Sequence, residues 1–338
     1  MVNVGIVGAT GYAGEELIDI LLRHPKARLT HVSANIDKPQ AYPMLFPKFK
    51  GKINLICKEP DIKEIVAKCS AVFLALPHTV SMYIVPQLLK AGKIVIDLSA
   101  DYRLTDTKVY EEFYHVKHKD KTHLVDAVYG LPELYRAKIK QAKLVANPGC
   151  YQTVSILALA PAVALNLVDL DSIIIDAKSG VSGAGRKAVE TLLFGEVNED
   201  FKAYKVGVHQ HAPEINQELS KLSRKKIKVN FVPHLLQVNR GILATIYAKK
   251  SKSARSQGIL SLYKKFYKKE PFVRIRDEGD YPKLKDVVHT NFCDIAVKED
   301  GGNIIIIAAI DNLLKGASGQ AVQNLNIICG YPEHTALI

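Results

Sequence analysis

The stretch VNVGIVGATGYAGEELIDILL (residues 2–22) decides the fold of the first half of this chain. It opens with a short, mostly apolar run of the kind that forms a buried strand, and Gly8, Gly11 and Gly14 follow that run. The apolar residues after the glycines are spaced as on one face of an amphipathic helix. A second apolar run at residues 29–33 completes the order strand, turn, helix, strand. This order predicts a parallel βαβ unit.

The spacing GxxGxxG is a variant of the pattern with which a βαβ unit binds a dinucleotide. Glycines permit the tight turn and the close approach of backbone to pyrophosphate at the start of the helix. The second strand ends in Ser33-Ala34-Asn35, without the acidic residue that holds the ribose 2′-hydroxyl of NAD. We therefore favour NADP(H) over NAD. The predicted cofactor contacts of this region are Gly8, Thr10, Gly11, Tyr12, Ala13, Gly14 and Ser33.

Short apolar runs and helical stretches continue to alternate up to residue 146, which predicts an α/β class with a Rossmann dinucleotide-binding domain. The predicted strands are 71–76, 93–98 and 143–146, and the predicted helices are 62–68 and 80–91. Polar turns follow these strands at the sheet edge where ligands bind. In these turns we expect Pro77 to contact the cofactor and Arg103 to contact the substrate.

Cys150 ends the segment Asn147-Pro148-Gly149-Cys150 and precedes an apolar helical run. A thiol in the first turn of a helix lies near unpaired N–H groups and the positive end of the helix dipole, which favour the thiolate. This context predicts a catalytic nucleophile, and a buried structural cysteine is the alternative. Because the preceding strand belongs to the predicted sheet, we expect Cys150 beside the nicotinamide.

After about residue 165 the pattern changes to longer strands, which predicts an α+β substrate and dimerisation domain on a mixed or antiparallel sheet. A closing helix from residue 312 is expected to return to the first domain. The predicted domains are 1–149 with 311–338 for NADP, and 150–310 for catalysis and oligomerisation. The predicted strands are 172–177, 228–232, 241–248, 293–297 and 303–310, and the predicted helices are 185–193 and 259–268.

Two imidazoles and a carboxylate, His209, His211 and Glu214, fall within six residues. This density suits proton transfer by a histidine that an acid orients. A metal site would need a further ligand, and a purely structural histidine pair is the other alternative. We expect no metal.

The segment from Ser179 to Arg186 combines glycines, hydroxyls and a guanidinium, which is anion-binding chemistry. A flexible connection between a strand and a helix is the alternative. Arg240 follows the segment Phe231 to Asn239 and could hold a carboxylate or phosphate through two parallel hydrogen bonds.

The composition argues against several other classes of protein. Of 338 residues 48% are hydrophobic and 24% are charged, which is typical of a globular chain. The net charge of +12 is scattered, so we expect a surface that attracts anionic ligands and no nucleic-acid partner. The five cysteines are widely spaced without a CxxC pair, which indicates reduced thiols. No membrane span or signal peptide is predicted, so a cytoplasmic protein is expected.

Taken together, these motifs resemble the N-acetyl-gamma-glutamyl-phosphate reductases, the enzymes of the third step of arginine biosynthesis. The resemblance extends over the chain and has two departures, Gln237 in place of a proline and His289 in place of a glycine. The matching segments are Gly8–Gly14, Leu76–His78, Asp97–Asp101, Tyr129–Glu133, Asn147–Cys150, Ser179–Arg186, His209–Glu214, Pro233–Leu235, Arg240–Gly241, Asp311–Asn312 and Lys315–Gly316.

The resemblance implies an NADP-dependent oxidoreductase that acts on an acyl phosphate through a Cys150 thioester. It implies that His209, oriented by Glu214, supplies a proton when the semialdehyde forms, with His211 as the other candidate. It also implies a homodimer or homotetramer. The remaining expected contacts are Ser182, Gly183 and Asn312 with the cofactor, and Asn147, Ser179, Arg186, His211 and Arg240 with the substrate.

Three other functions are compatible with parts of the pattern. Aspartate-semialdehyde dehydrogenases share the plan, but their nucleophile motif runs Asn-Cys rather than Asn-Pro-Gly-Cys. A reductase of an aminoadipyl or glutamyl phosphate on an acidic carrier protein would suit the positive charge. A nucleotide-binding sensor without catalysis would need a broken thiol or proton donor, and both are present.

Overall fold

The structure, a computed structural model, describes residues 1–252 and 258–338, and it divides into two units. Unit 1 comprises Met1–Pro148 and Ala317–Ile338, and unit 2 comprises Gly149–Gly316. The sequence placed the return to the first domain at residue 311, whereas the structure keeps residues 311–316 in unit 2. Asn312 therefore belongs to unit 2 and not to the predicted NADP domain.

Unit 1 begins with alternating strands and helices, as the apolar periodicity predicts. Its strands are β1 (Val2–Val7), β2 (Ala27–Ser33), β3 (Gln40–Ala41), β4 (Ile56–Cys57), β5 (Ala71–Leu74), β6 (Ile94–Asp97), β7 (Ala127–Tyr129) and β8 (Leu144–Ala146). Its helices in this part are α1 (Tyr12–Leu22), α2 (Tyr42–Leu45), α3 (Ile62–Lys68), α4 (Ser81–Lys90), α5 (Thr107–Tyr114) and α6 (Pro132–Ile139), with a 3₁₀ turn at Pro47–Phe49.

Six of these strands form one parallel sheet in the order β2-β1-β5-β6-β8-β7. The central strand β5 is buried on both faces of the sheet, since its neighbouring residues Val72 and Phe73 point to opposite faces and both have no exposed surface. The carboxyl ends of β1, β5, β6 and β8 share one edge. The residues that follow these strands are the glycine turn, Pro77, Arg103 and Asn147, so the topology brings these predicted positions to one edge of unit 1.

Unit 2 carries a mixed sheet of seven strands in the order β10-β11-β9-β12-β15-β14-β13. Its strands are β9 (Ile174–Gly180), β10 (Lys202–Ala203), β11 (Asn230–Leu236), β12 (Ile242–Lys249), β13 (Val273–Ile275), β14 (Cys293–Asp300) and β15 (Asn303–Ile310). Its helices are α7 (Cys150–Ala164), α8 (Phe194–Val197), α9 (Ala212–Ser223), α10 (Ile259–Phe266) and α11 (Leu284–Val287), with 3₁₀ turns at Leu170–Ser172, Val181–Ala184 and Glu190–Leu192.

Helix α7 is the core of unit 2. All residues from Tyr151 to Val163 are buried, which matches a helix that is apolar on every side. It contacts β12, β14 and β15 of the sheet and the helices α9 and α10. The nucleophile candidate Cys150 is therefore the first residue of the most enclosed helix of its unit.

The chain ends with a π-helical turn at Leu314–Ser318 and with α12 (Gly319–Ile328), which belongs to unit 1. One predicted helix is wrong: residues 185–193 contain only the 3₁₀ turn Glu190–Leu192, because the apolar Val189 and Leu193 are exposed and find no surface to cover. In the described part of the chain, no helix is long and apolar enough to cross a membrane.

Candidate active site

The glycine turn of unit 1 accepts no side chain at two of its positions. Gly8 has a φ of +92°, and its N–H donates to the carbonyl oxygen of Ser33 at 2.8 Å. A Cβ on Gly8 would lie 2.1 Å from the carbonyl oxygen of Ala75, and a Cβ on Gly14 would lie 2.3 Å from the carbonyl oxygen of Gly8. Only glycine therefore allows β1, β5 and the start of α1 to approach this closely.

The start of α1 offers the anion-binding chemistry expected of this turn. Its N-cap is Gly11, which has no side chain to occupy the N–H groups of the first turn. Thr10, Gly11, Tyr12 and Ala13 are all partly exposed. A helix start of this kind suits a pyrophosphate group. The turn therefore fits a dinucleotide.

The end of β2 fits the phosphorylated form of that dinucleotide. Residues 33–36 contain no carboxylate that would repel a 2′-phosphate. The Ser33 hydroxyl is buried and makes no hydrogen bond within the described residues. Pro77 is exposed in the turn after β5, where the sequence places it.

Arg103 and Asn147 lie at this edge of unit 1, but their side chains hold the backbone. Arg103 is 4% exposed, and it donates to the carbonyl oxygens of Asn147 at 2.7 Å and Leu98 at 2.6 Å. Asn147 is fully buried, donates to the carbonyl oxygen of Ala317 and accepts from the Asn324 amide. These bonds order the turn before Cys150, and the substrate contacts expected of both residues stay predictions.

Two buried carboxylates lie below the same edge. Asp97 accepts hydrogen bonds from the Ser81 and Ser99 hydroxyls, both at 2.7 Å. Asp101 accepts from the Thr79 N–H and the Tyr110 hydroxyl. Burial, with a smaller contribution from the Asp101 charge, raises the pKa of Asp97 to about 6. The pair orders the turns after β5 and β6.

In unit 2, Cys150 is the first residue of α7, as the sequence predicts. The N-cap is Gly149, and the thiol is partly exposed. Gly316 packs directly against it: a Cβ on Gly316 would lie 2.6 Å from the Cβ of Cys150. Cys150 therefore lies at a helix N-terminus and is accessible from outside, and close packing against Gly316 limits its movement. These features suit a thiolate nucleophile.

An aromatic cluster lies next to Cys150 in the chain and in space. The ring of Tyr151 packs edge-on against the ring of His209, with 5.7 Å between the ring centroids. The centroids of the His209 and His211 rings lie 4.6 Å apart. The ring of Tyr204 also packs against His209, with 5.5 Å between the ring centroids, and its hydroxyl donates a hydrogen bond to the Tyr151 hydroxyl. The structure thus brings the predicted histidine pair together with the residue that follows the nucleophile.

His209 is buried, and burial followed by the Lys205 charge lowers its pKa to about 4. The ring is therefore neutral near pH 7. Its Nδ1 accepts the backbone N–H of His211 at 3.1 Å, so Nε2 carries the ring proton. In this state His209 can donate a hydrogen bond from Nε2, but Nδ1 is not available as a base.

Glu214 does not orient His209 as expected. Its Oε2 accepts from the Gln152 amide at 2.6 Å, and both side chains are almost fully buried. The hydrogen bond to the ring of His209 comes from the His211 backbone. The expected role of Glu214 is corrected in this respect. The backbone N–H of His211 orients the His209 ring, and Glu214 is held by the Gln152 side chain of helix α7.

Three predicted cofactor positions, Ser182, Gly183 and Asn312, lie close together at the loop after β9. Asn312 donates to the Ser182 hydroxyl at 3.0 Å and accepts from the Gly241 N–H at 2.7 Å. A Cβ on Gly183 would lie 2.9 Å from the Ser179 hydroxyl and 3.9 Å from the Asn312 amide. Ser179, Ser182, Gly183 and Asn312 therefore form one polar group at the end of β9.

The guanidinium of Arg240, predicted to contact the substrate, forms an ion pair within the protein. Its Nε and Nη2 donate to the two carboxylate oxygens of the fully buried Asp311, each at 3.0 Å. The two-bond geometry expected for a substrate is thus already used within the protein. Arg186, by contrast, is exposed on the loop that follows β9.

Sequence reasoning missed Tyr204, Gln152 and Asp311. Tyr204 and Gln152 carry no motif of their own and become visible only through contacts with distant residues. Asp311 was quoted within a motif but without a role, although an acid next to Asn312 at the end of an apolar strand was a usable signal. In the described part of the chain no group of three or more His, Cys, Asp or Glu side chains could hold a metal ion.

Comparison with known proteins supports the class that these features indicate. The semialdehyde dehydrogenase NAD binding domain matches residues 3–142, and the semialdehyde dehydrogenase dimerisation domain matches residues 150–312. The two domains are thus those of the semialdehyde dehydrogenases. This confirms the predicted fold class of a Rossmann domain with an α+β dimerisation domain.

Curated relatives narrow the class further. N-acetyl-gamma-glutamyl-phosphate reductase from Pelotomaculum thermopropionicum is 49% identical over 338 residues, which cover 99% of this chain and 97% of the relative. The enzyme of the same name from Desulfotalea psychrophila is 48% identical over 340 residues, covering 100% and 98%. The chain belongs to the N-acetyl-gamma-glutamyl-phosphate reductase family.

Solved structures share the fold at low sequence identity. Aspartate semialdehyde dehydrogenase II from Vibrio cholerae, complexed with ASA, superposes with a TM-score of 0.72 at 17% identity and 98% coverage of both chains. Aspartate semialdehyde dehydrogenase with NADP from Candida albicans gives 0.70 at 14% identity, with 97% and 98% coverage. At this identity the likeness concerns the fold alone.

Proposed function

We propose that this chain reduces N-acetyl-gamma-glutamyl phosphate to N-acetyl-glutamate 5-semialdehyde and phosphate, in arginine biosynthesis. The observation that carries the proposal is the full-length similarity, at 47–49% identity, to relatives that bear this enzyme's name. The position of Cys150 at the start of α7 agrees with it. The names of these relatives do not favour a carrier-linked substrate.

The cofactor is NADP(H), and the NAD binding domain of the family spans residues 3–142. Gly8, Gly11, Gly14 and the first turn of α1 would hold its pyrophosphate, and Ser33 would lie at its 2′-phosphate. Bound there, NADPH supplies the hydride that reduces the enzyme-bound acyl group. We further assign Ser182 and Asn312 to the cofactor, because they share one hydrogen-bonded group.

The chain itself supplies the nucleophile. The thiolate of Cys150 attacks the carbonyl carbon of the acyl phosphate, a C–S bond forms, and the bond to the phosphate oxygen breaks. The products of this step are phosphate and a thioester. The helix N-terminus at Cys150 favours the thiolate at the start of the step and again when the thiol leaves.

We assign the polar group that assists collapse of the thiohemiacetal to His209. Reduction of the thioester leaves a thiohemiacetal oxyanion; as its C=O bond forms, the C–S bond breaks and the Cys150 thiolate leaves. The Nδ1 of His209 is occupied by the His211 N–H, so its Nε2–H is the group that can donate a hydrogen bond. The neutral ring would hydrogen-bond to the oxyanion through Nε2–H without releasing this proton. Ser179, Arg186 and His211 are the proposed contacts of the substrate's anionic groups.

We also propose that two or four copies associate in the cytoplasm. The second domain matches a family model described as a dimerisation domain. Unit 2 exposes a run of apolar side chains suited to cover by a second copy. They are Val189, Leu193, Phe194, Phe201, Val206 and Val208. The wide spacing of the five cysteines, without a CxxC pair, supports a reducing compartment.

The experiment that tests the function is the phosphate-dependent reduction of NADP by N-acetyl-glutamate 5-semialdehyde, beside aspartate semialdehyde. We expect turnover with the acetylated substrate alone, lost in Cys150→Ser and kept in the control Cys329→Ser, a free cysteine near the end of the chain. Substantial turnover in Cys150→Ser would refute the thioester route. Turnover with aspartate semialdehyde, or only with a carrier-linked aldehyde, would refute the substrate.

A further inference from the structure

A cavity of about 690 Å³ lies in unit 2, away from the residues assigned to catalysis. Three segments form its wall: the turn before β9, the turn after α9, and the end of β12 with the residues that follow it. Its basic lining consists of five lysines. They are Lys225, Lys226, Lys249, Lys250 and Lys252.

The wall carries more positive charge than the protein neutralises. Lys250 forms an ion pair with Glu299. The other four lysines form no ion pair within the described residues, and residues 253–257 include no acidic side chain. The two carboxylates of the lining are Asp169, which caps the Leu170–Ser172 turn, and Asp171. Four ammonium groups thus outnumber the acids that could balance them, and mutual repulsion disfavours this arrangement without an anion.

The backbone of the wall is fixed by hydrogen bonds. The Asp169 N–H donates to the carbonyl oxygen of Lys249 at 2.9 Å, and the Ser251 N–H donates to that of Leu167 at 2.9 Å. The Lys249 N–H donates to the Ser172 hydroxyl at 2.8 Å. The cavity is therefore preformed by the sheet, and its volume falls in the range of small-molecule sites.

The cavity lies at the opposite end of the sheet from the candidate active site. β12 begins at Ile242, directly after Gly241, whose N–H donates to Asn312, and it ends at Lys249 in the cavity wall. β9 runs beside it from Ile174 to Ser179. At about 3.3 Å per residue, the strand length separates the two sites by roughly 20 Å. A ligand in the cavity would not contact the groups assigned to the acyl phosphate.

We propose that this cavity is a second ligand site, which binds a small polyanion with at least two phosphate or carboxylate groups. Tripolyphosphate and citrate serve as probes of the two chemistries. Calorimetric titration is performed with NADPH at saturation, so that the cofactor turn does not take up the probe. We expect one site per chain, with affinity that falls as ionic strength rises.

The test variant is Lys225→Gln, Lys226→Gln and Lys252→Gln together. Each exposed ammonium contact changes affinity by a factor of about two to five, so we expect at least roughly eightfold weaker binding. The matched control, Lys140→Gln, Lys268→Gln and Lys269→Gln, removes the same charge from exposed positions outside the cavity and should bind as the unmodified chain does. Equal weakening in both variants would refute the site, because a general charge effect would then explain binding.

Chemical footprinting provides a second readout on the unaltered protein. The probe should slow acetylation of Lys225, Lys226, Lys249 and Lys252 but not of Lys140, as measured by mass spectrometry. No uptake of either probe and no protection would overturn the proposal. Protection by an acidic peptide but by neither small probe would replace the small ligand with a protein partner and would also overturn it.

Discussion

Replacement of Gly316 by alanine tests whether the position of Cys150 limits the rate. The new Cβ would lie 2.6 Å from the Cβ of Cys150 and 3.0 Å from its Cα. Ordinary contacts between such atoms begin near 3.4 Å. Gly316 has no positive φ, so alanine fits its backbone and the effect is purely steric. The first residue of α7 and the Gly316 backbone must therefore separate by about 1 Å.

The displacement predicts a loss of rate larger than the loss of stability. A reacting group misplaced by about 1 Å can cost about 100-fold in rate. Overpacking at a tight contact destabilises by about 1–3 kcal/mol. We expect the kcat of Gly316→Ala to fall about 100-fold. NADPH affinity should change little, because the glycine turn lies in unit 1 and Asn312, also assigned to the cofactor, is held by Ser182 and Gly241.

The assay compares steady-state NADP reduction, alkylation of the thiol by iodoacetamide, and the melting temperature. Gly195→Ala is the matched control, because a Cβ there meets no atom within 4 Å. It should behave as the unmodified chain does. A Gly316→Ala enzyme with kcat within about threefold of the unmodified value, at the same expression and melting temperature, would refute the steric reasoning.

Three further predictions concern protonation and backbone strain. Burial, and then the charge of Asp101, raise the pKa of Asp97 to about 6 in the folded chain. The protonated carboxyl therefore contributes to the free energy of unfolding fully below about pH 4. This contribution, at most ~3 kcal/mol, is lost as pH rises through 6. Denaturant titrations should show this loss in the unmodified chain but not in Asp97→Asn, and parallel curves would contradict it. His209→Asn should lower kcat about 100-fold with little change in KM, whereas a larger loss in His211→Asn would assign the contact to the thiohemiacetal oxygen to His211. His289 has a φ of +67°, so His289→Gly should raise the free energy of unfolding by about 0.5–1 kcal/mol, and a lower value would show that the side chain stabilises this turn.

The parts of the fold that the sequence predicts well are those with local causes. Residues 2–33 form strand, turn, helix and strand because apolar periodicity and the glycines act over short distances. The helix predicted at 185–193 does not form, because its apolar residues lack a partner surface. Periodicity reports which face a helix could bury, but only the tertiary structure supplies the surface that receives it.

The same distinction applies to the site. The type and position of Cys150 sufficed to predict the start of α7, because a turn followed by an apolar run is a local signal. Arg103 is assigned to the substrate from its turn at the sheet edge, and Arg240 from its residue type and the family resemblance. Their acceptors are the carbonyl oxygen of Asn147, 44 positions later, and the carboxylate of Asp311, 71 positions later. A guanidinium bonds to the nearest acceptor in space, which the order of residues does not show.

Asp311 links Arg240 to the segment that positions Cys150. Besides both bonds from Arg240, the Asp311 carboxylate accepts the N–H groups of His289, Leu313 and Leu314. Its own carbonyl oxygen accepts the Gly316 N–H at 2.9 Å. These bonds fix residues 311–316, the segment that places Gly316 against Cys150 and Asn312 against Ser182. Because removal of either charge would leave the other buried and unpaired, the pair couples the position of the nucleophile to the loop after β9.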